Sequence, residues 1–279
     1  MSEPREHDVD LTSGIRVHVT EAGPADAEIT IVLLHGVMMS SRFFQRQLAG
    51  PLTAGYRVIA PDYRGHGRSA AAADGHTVAG YARDLHDLLE VLGVERPVLV
   101  GWSMGTMVAY EYIKAYGSDS VRGLVVVDQP PSDFAWPDYP YGVITLATLA
   151  ELVEGLQNDQ QALAAEFADL MIHAPTDEGR AWMAEEICRV APAVASTILV
   201  DQTLRDFRPL LPEITCPSLV VFGADPKFTN PEAGTYIAEQ IPGARFEIFA
   251  ESSHCPFLEE PERFDQLLGD FVRSATAGS

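Results

Sequence analysis

Continuous apolar runs of strand length recur along the chain, separated by stretches with the three-to-four-residue spacing of amphipathic helices. Strands are expected over residues 15–20, 29–34 (ITIVLL), 56–60, 97–100, 121–127 (VRGLVVV), 218–222 and 245–249. The runs are unbroken and rich in β-branched residues rather than alternating, as in strands covered on both faces of a parallel sheet. Helical patterns fall between them at 78–92, 104–116, 231–240 and 261–274. Strand–helix–strand alternation of this kind predicts an α/β fold with a doubly wound, mostly parallel sheet. One region breaks the rhythm. After Pro131 comes a Pro/aromatic stretch, PPSDFAWPDYPYG, followed by helical patterns such as TLATLAELVEGL and QQALAAEFADLMI, with no convincing strand until the chain nears Ser218. That is too long for a connecting loop. The expected organisation is a core of residues 1–130 and 210–279, with a helical cap at 131–209 inserted into it.

Composition narrows the class. Hydrophobic residues make up 47% and charged residues 21%, which suits a packed globular protein, and the formal net charge is −21. With only Lys114 and Lys227 as lysines and the arginines scattered, neither nucleic acid nor an anionic membrane is an expected partner. Cys188, Cys216 and Cys255 are too widely spaced for a redox or zinc pair. No histidine/carboxylate set has metal-ligand spacing either, so no metal and no cofactor is expected. The polar start of the chain and the lack of a long apolar run point to a cytoplasmic protein acting on a small molecule.

The chemistry announces itself at LVGWSMGTMVAY, residues 99–110, where Ser103 lies between Gly101 and Gly105 at the junction of a strand and a helix. A turn this tight strains the middle residue and leaves room only for small side chains two positions away. The result is an exposed serine hydroxyl above the sheet edge, the nucleophile elbow. Serine needs a base, a group to orient that base, and donors for the oxyanion formed on attack. His254, in the loop between the last strand and the C-terminal helix, is the candidate base. The orienting acid is expected to be Asp225, just past the strand LVVFG. Asp128, directly after VRGLVVV, is the alternative.

The order Ser103, Asp225, His254, with LLHGVMMSSRFF, VIAPDYRGHGRS, VGWSMG, ITCPSLVVFGAD and SSHCPFLEEPERF around it, resembles the α/β-hydrolases. The resemblance is to the branch of small esterases, enol-lactone hydrolases and cofactor-free haloperoxidase/perhydrolases, and it spans nearly the whole chain. It implies the α/β-hydrolase fold, and oxyanion donors at the backbone amides of Val37 and Met104. The family usually has two residues between the strand-end glycine and the acid. Here Gly223 and Asp225 are separated by one, which keeps Asp128 open.

Trp102, Phe43, His35 and Trp136 are candidate substrate-binding residues, and the aromatic richness of the cap suits a hydrophobic substrate. The expected activity is cleavage of a carboxylic ester or lactone through an acyl-enzyme on Ser103. The same triad could serve a perhydrolase or a C–C bond hydrolase. A cofactor-free dioxygenase and a non-catalytic small-molecule receptor are the remaining readings.

Overall fold

The computed structural model describes residues 3–277. Eight strands form one sheet: β1 (Arg5–Asp10), β2 (Arg16–Ala22), β3 (Thr30–Leu34), β4 (Arg57–Pro61), β5 (Val98–Trp102), β6 (Gly123–Val127), β7 (Ser218–Gly223) and β8 (Arg245–Phe249). Their spatial order is β1-β2-β4-β3-β5-β6-β7-β8. The pairs β1/β2 and β2/β4 are antiparallel, and every pair from β4 to β8 is parallel. The sheet is therefore the doubly wound, mostly parallel one that the pattern of apolar runs predicts. Strands β3, β5 and β6 are buried at every position because helices cover both faces. Each fully buried Val, Leu or Ile there contributes about 1.5–3 kcal/mol by leaving water. The edge strand β1, REHDVD, has no counterpart among the expected elements. Its side chains are mostly exposed, so no apolar run marks it.

The helices are α1 (Gln45–Leu48), α2 (Val78–Val91), α3 (Met104–Tyr116), α4 (Leu146–Asn158), α5 (Gln160–Leu170), α6 (Asp177–Ile187), α7 (Pro192–Thr203), α8 (Glu232–Gln240), α9 (Pro256–Glu259) and α10 (Pro261–Ala277). Four of these, α4 to α7, lie between β6 and β7. Their start signals are local: Thr145, Asp159 and Thr176 cap α4, α5 and α6 by accepting from the backbone N–H groups of Thr148, Ala162 and Gly179. A side chain of α7 reaches the core, where the Asp201 carboxylate accepts the Val78 amide at the start of α2 at 2.8 Å.

The parallel register brings the carboxyl ends of neighbouring strands to one edge, where sheets of this kind keep their sites. Backbone hydrogen bonds continue the ladder one step past the strands. The Ser103 amide donates to Val127 O, that of Asp128 to Val221 O, and that of Ala224 to Phe249 O. The residues immediately after β5, β6 and β7 are thereby fixed side by side. Among the described residues, no helix is long and apolar enough to cross a membrane. Nor does any group of three or more His, Cys, Asp or Glu among them form a set that could hold a metal ion. The three cysteines are unpaired thiols.

Candidate active site

Ser103 sits at φ +54°, ψ −130°, a conformation costing a non-glycine residue about 1–3 kcal/mol. The surroundings show why its neighbours are glycines. A Cβ on Gly101 would stand 2.4 Å from Thr106 Cα, and one on Gly105 would stand 2.1 Å from the Leu34 carbonyl oxygen. The elbow closes only because strand β5, helix α3 and the end of β3 touch backbone to backbone. Helix α3 begins directly after the serine, so the Met104 amide is one of the N–H groups the helix cannot satisfy internally.

His254 lies in the loop between β8 and α9 and is 1% exposed. Its partner is Asp128: His254 Nδ1 donates to Asp128 Oδ1 at 2.8 Å. The same carboxylate accepts from the Gly223 amide at 2.9 Å and from the Thr229 hydroxyl. Three donors thus converge on a carboxylate that is 2% exposed at its side chain. Asp128, like Ser103, holds a positive φ, +47°. On the other side of His254, the Trp102 indole N–H donates to the His254 carbonyl at 2.8 Å, and the Phe228 ring stacks on the imidazole at 4.0 Å. The imidazole is therefore held by Asp128 and Phe228, while Trp102, next to Ser103 in the chain, fixes its backbone. Among the described residues, Ser103 Oγ and His254 Nε2 are not hydrogen-bonded to each other, a bond that in such sites often tightens only with substrate present.

The expectation that Asp225 orients His254 is corrected by this geometry. The Asp225 carboxylate turns away to His173, whose Nδ1 lies 2.7 Å from its Oδ2, and to Lys227 Nζ at 3.6 Å. Burial opposes the Asp225 charge, but His173 and Lys227 outweigh it and hold the carboxyl below its usual range. The physical reason lies in the ladder. Asp128 follows β6 without an intervening residue and is fixed by its amide bond to Val221, whereas Asp225 is two residues past β7 and bonded through its amide to Ser252 O.

His35, expected to bind substrate, is committed elsewhere. The ring is fully buried, the Tyr63 amide donates to its Nε2 at 3.2 Å, and the proton is therefore on Nδ1, which donates to Gly36 O at 2.8 Å. Burial pushes its pKa down to about 4, so it stays neutral. The Met39 amide also donates to Gly36 O. With the Gly36 carbonyl held from that side, the Val37 N–H of the same trans peptide points the opposite way. Gly36 borders the serine: a Cβ there would lie 3.4 Å from Ser103 Oγ. Among the described residues, neither the Val37 nor the Met104 amide donates to another protein group.

Trp102 and Phe43 are fully buried and pack with tilted rings 5.2 Å apart, and Phe43 packs on Trp182 of α6 at 4.8 Å. Trp136 donates its indole N–H to Ser132 Oγ and packs against Phe134. Three participants escaped sequence reasoning: Phe228, Thr229 and the Gly223 amide. They reach His254 and Asp128 across long separations, and only the single residue between Gly223 and Asp225 hinted at a changed acid. A fourth, Asp133, is a buried carboxyl. Burial raises its pKa despite hydrogen bonds from Gln129 and Gln202 and the nearby His254.

A strained serine at a strand–helix elbow, a His–Asp pair on neighbouring strand ends and a loop amide after a histidine–glycine step accompany a match of residues 31–267 to the model of the "Alpha/beta hydrolase family". The chain belongs to the alpha/beta hydrolase family. Among its relatives is the pimeloyl-[acyl-carrier protein] methyl ester esterase of Neisseria meningitidis, 31% identical over 88% of this hydrolase and 94% of that protein. Among solved structures, an esterase from Exiguobacterium antarcticum superposes with a TM-score of 0.90 at 27% identity, covering 96% of this chain and all of that one. A bromoperoxidase from Bacillus anthracis gives a TM-score of 0.89 at 26% identity, over 96% of this chain and all of that one.

Proposed function

We propose that this hydrolase cleaves carboxylic esters or lactones with an apolar acyl group through an acyl-enzyme on Ser103. The observation that carries the reading is the His254–Asp128 hydrogen bond beside a serine held in the elbow conformation. Asp128 accepts the Nδ1 proton, leaving Nε2 with its lone pair to take the proton from Ser103 Oγ. Attack on the carbonyl carbon places negative charge on its oxygen, which the amides of Val37 and Met104 stabilise; each such donor is worth about 10²–10³ in rate. His254 then gives its proton to the leaving alkoxide, and the acyl-enzyme remains. Water, deprotonated by the same nitrogen, hydrolyses it and restores the serine. The stacked Phe228 ring shields the imidazole and favours its charged form during the reaction.

Likeness to a bromoperoxidase supports a second use of the same intermediate. Hydrogen peroxide in place of water would convert the acyl-enzyme to a peracid and free serine. Hydrolysis of p-nitrophenyl acetate, peroxide-dependent halogenation, and labelling by a fluorophosphonate separate these uses. In all three, Ser103→Ala is expected to reduce the signal to background. A Ser103→Ala variant that kept the wild-type rate would show the His254–Asp128 pair acting on substrate without an acyl-enzyme, and the reading would fall.

A further inference from the structure

The loop that carries His254 is held by contacts that the chemistry does not use. Two of them come from the end of helix α5: the His254 amide donates to Met171 O at 3.0 Å, and Ser253 Oγ donates to Leu170 O at 3.0 Å. The backbone of the base is thus held from two sides, its carbonyl by Trp102 at the end of β5 and its amide by the helical insertion. What fixes residues 170–173 is a cluster of charged groups around His173. Lys227 Nζ donates to the carbonyls of Ile172 and His173 at 3.2 and 2.7 Å. The Asp225 carboxylate lies 2.7 Å from His173 Nδ1 and 3.6 Å from that ammonium. Glu259 joins the two segments directly. One of its oxygens accepts the His173 amide at 2.6 Å, and the other accepts the amides of Ser253 and Cys255 at 2.9 and 3.4 Å.

Resting on the acyl-enzyme reading above, we infer that His173, Asp225, Lys227 and Glu259 form a latch between the insertion and the core that positions His254. They are positioning residues, acting on the base through the backbone of residues 170–173 and 253–255. The latch gives Asp225 a use consistent with its orientation away from His254. It also ties competence to the insertion: when residues 170–173 lift, the His254 amide and the Ser253 hydroxyl lose their acceptors. A displacement of the base of about 1 Å is enough to lower the rate of serine attack by tenfold to a hundredfold.

The test uses the full chain with His173→Ala, Asp225→Asn and His173→Asn, the last of which keeps an amide N–H close to the position of Nδ1. Melting temperature establishes that each variant folds. In His173→Ala and Asp225→Asn, the rate of fluorophosphonate labelling and kcat for p-nitrophenyl acetate are expected to fall about tenfold, with KM within about twofold. His173→Asn is expected to restore most of the loss. Hydrogen exchange of residues 250–256 is expected to quicken in His173→Ala, a readout independent of any reaction. Wild-type labelling rates together with unchanged exchange in both variants would overturn the latch, as would a His173→Ala loss that His173→Asn did not repair. A wild-type protein that took no label would instead overturn the esterase reading, leaving the exchange comparison to judge the latch by itself.

Discussion

Replacing Asp128 by Asn separates the two candidate acids with one atom exchanged. The carboxylate accepts from the Gly223 amide through Oδ2, and from His254 Nδ1 and Thr229 through Oδ1. The Gly223 N–H can only donate, so it keeps the Asn carbonyl oxygen on its side. The Asn NH₂ then faces His254 Nδ1 and donates to it, driving the imidazole proton onto Nε2. In that tautomer the nitrogen that should receive the Ser103 proton already carries one. A wrong tautomer in an intact triad costs about 10⁴ in kcat, equivalent to about 5.4 kcal/mol of barrier. Asp225→Asn leaves the tautomer alone and acts only through the latch, so its cost is about tenfold. The assay is kcat and KM for p-nitrophenyl acetate on both variants, with circular dichroism and melting temperature confirming the fold. If Asp128→Asn stayed within tenfold of wild type while Asp225→Asn lost three or more orders of magnitude (roughly the triad-acid cost), the orienting role would belong to Asp225 and the reasoning from geometry would be refuted.

Two further outcomes follow from packing and burial. Gly105→Ala drives a Cβ into the Leu34 carbonyl at 2.1 Å and should cost about 3 kcal/mol or more, whereas Gly155→Ala in α4 meets nothing closer than 3.8 Å and should stabilise by about 0.5–1 kcal/mol; urea unfolding measures both, and a harmless Gly105→Ala would contradict the tight elbow. Acid should destabilise the protein through His66, whose pKa burial pushes down to about 3. A depressed base pKa means that the unfolded chain, near 6.5, binds the proton first, so stability present above that value is lost as pH falls toward the folded pKa. At pH 5 the loss is about 2 kcal/mol, and a His66→Phe variant should lose that much less than wild type between pH 7.5 and 5. Equal losses in the two proteins would sink the claim.

The amino-acid sequence by itself determined the layers and most of their boundaries. Runs such as VLVGW and GLVVV can only be strands covered on both faces, and the 104–116 pattern can only follow as a helix, because burial acts through spacing that a short window displays. It likewise displayed the elbow, since Gly101, Ser103 and Gly105 fall within one short window, although the Leu34 carbonyl that excludes a side chain at Gly105 comes from β3. Polar β1 stayed hidden because an exposed edge strand needs no apolar signature. What the tertiary structure alone decided was which acid meets His254. Both Asp128 and Asp225 follow strands at the same sheet edge, and the difference between them is one residue of offset past the strand end and the side chains awaiting each one. Thr229 and Gly223 gather on Asp128, while His173 and Lys227, from the α5–α6 link and the loop after β7, claim Asp225. The acceptance of the Tyr63 amide by His35 was equally invisible, for that partner of the buried ring is set by the packing of β4 beside β3. Hydrogen bonds between residues a hundred positions apart leave no mark on local pattern, and in this protein those bonds divide the labour between two aspartates.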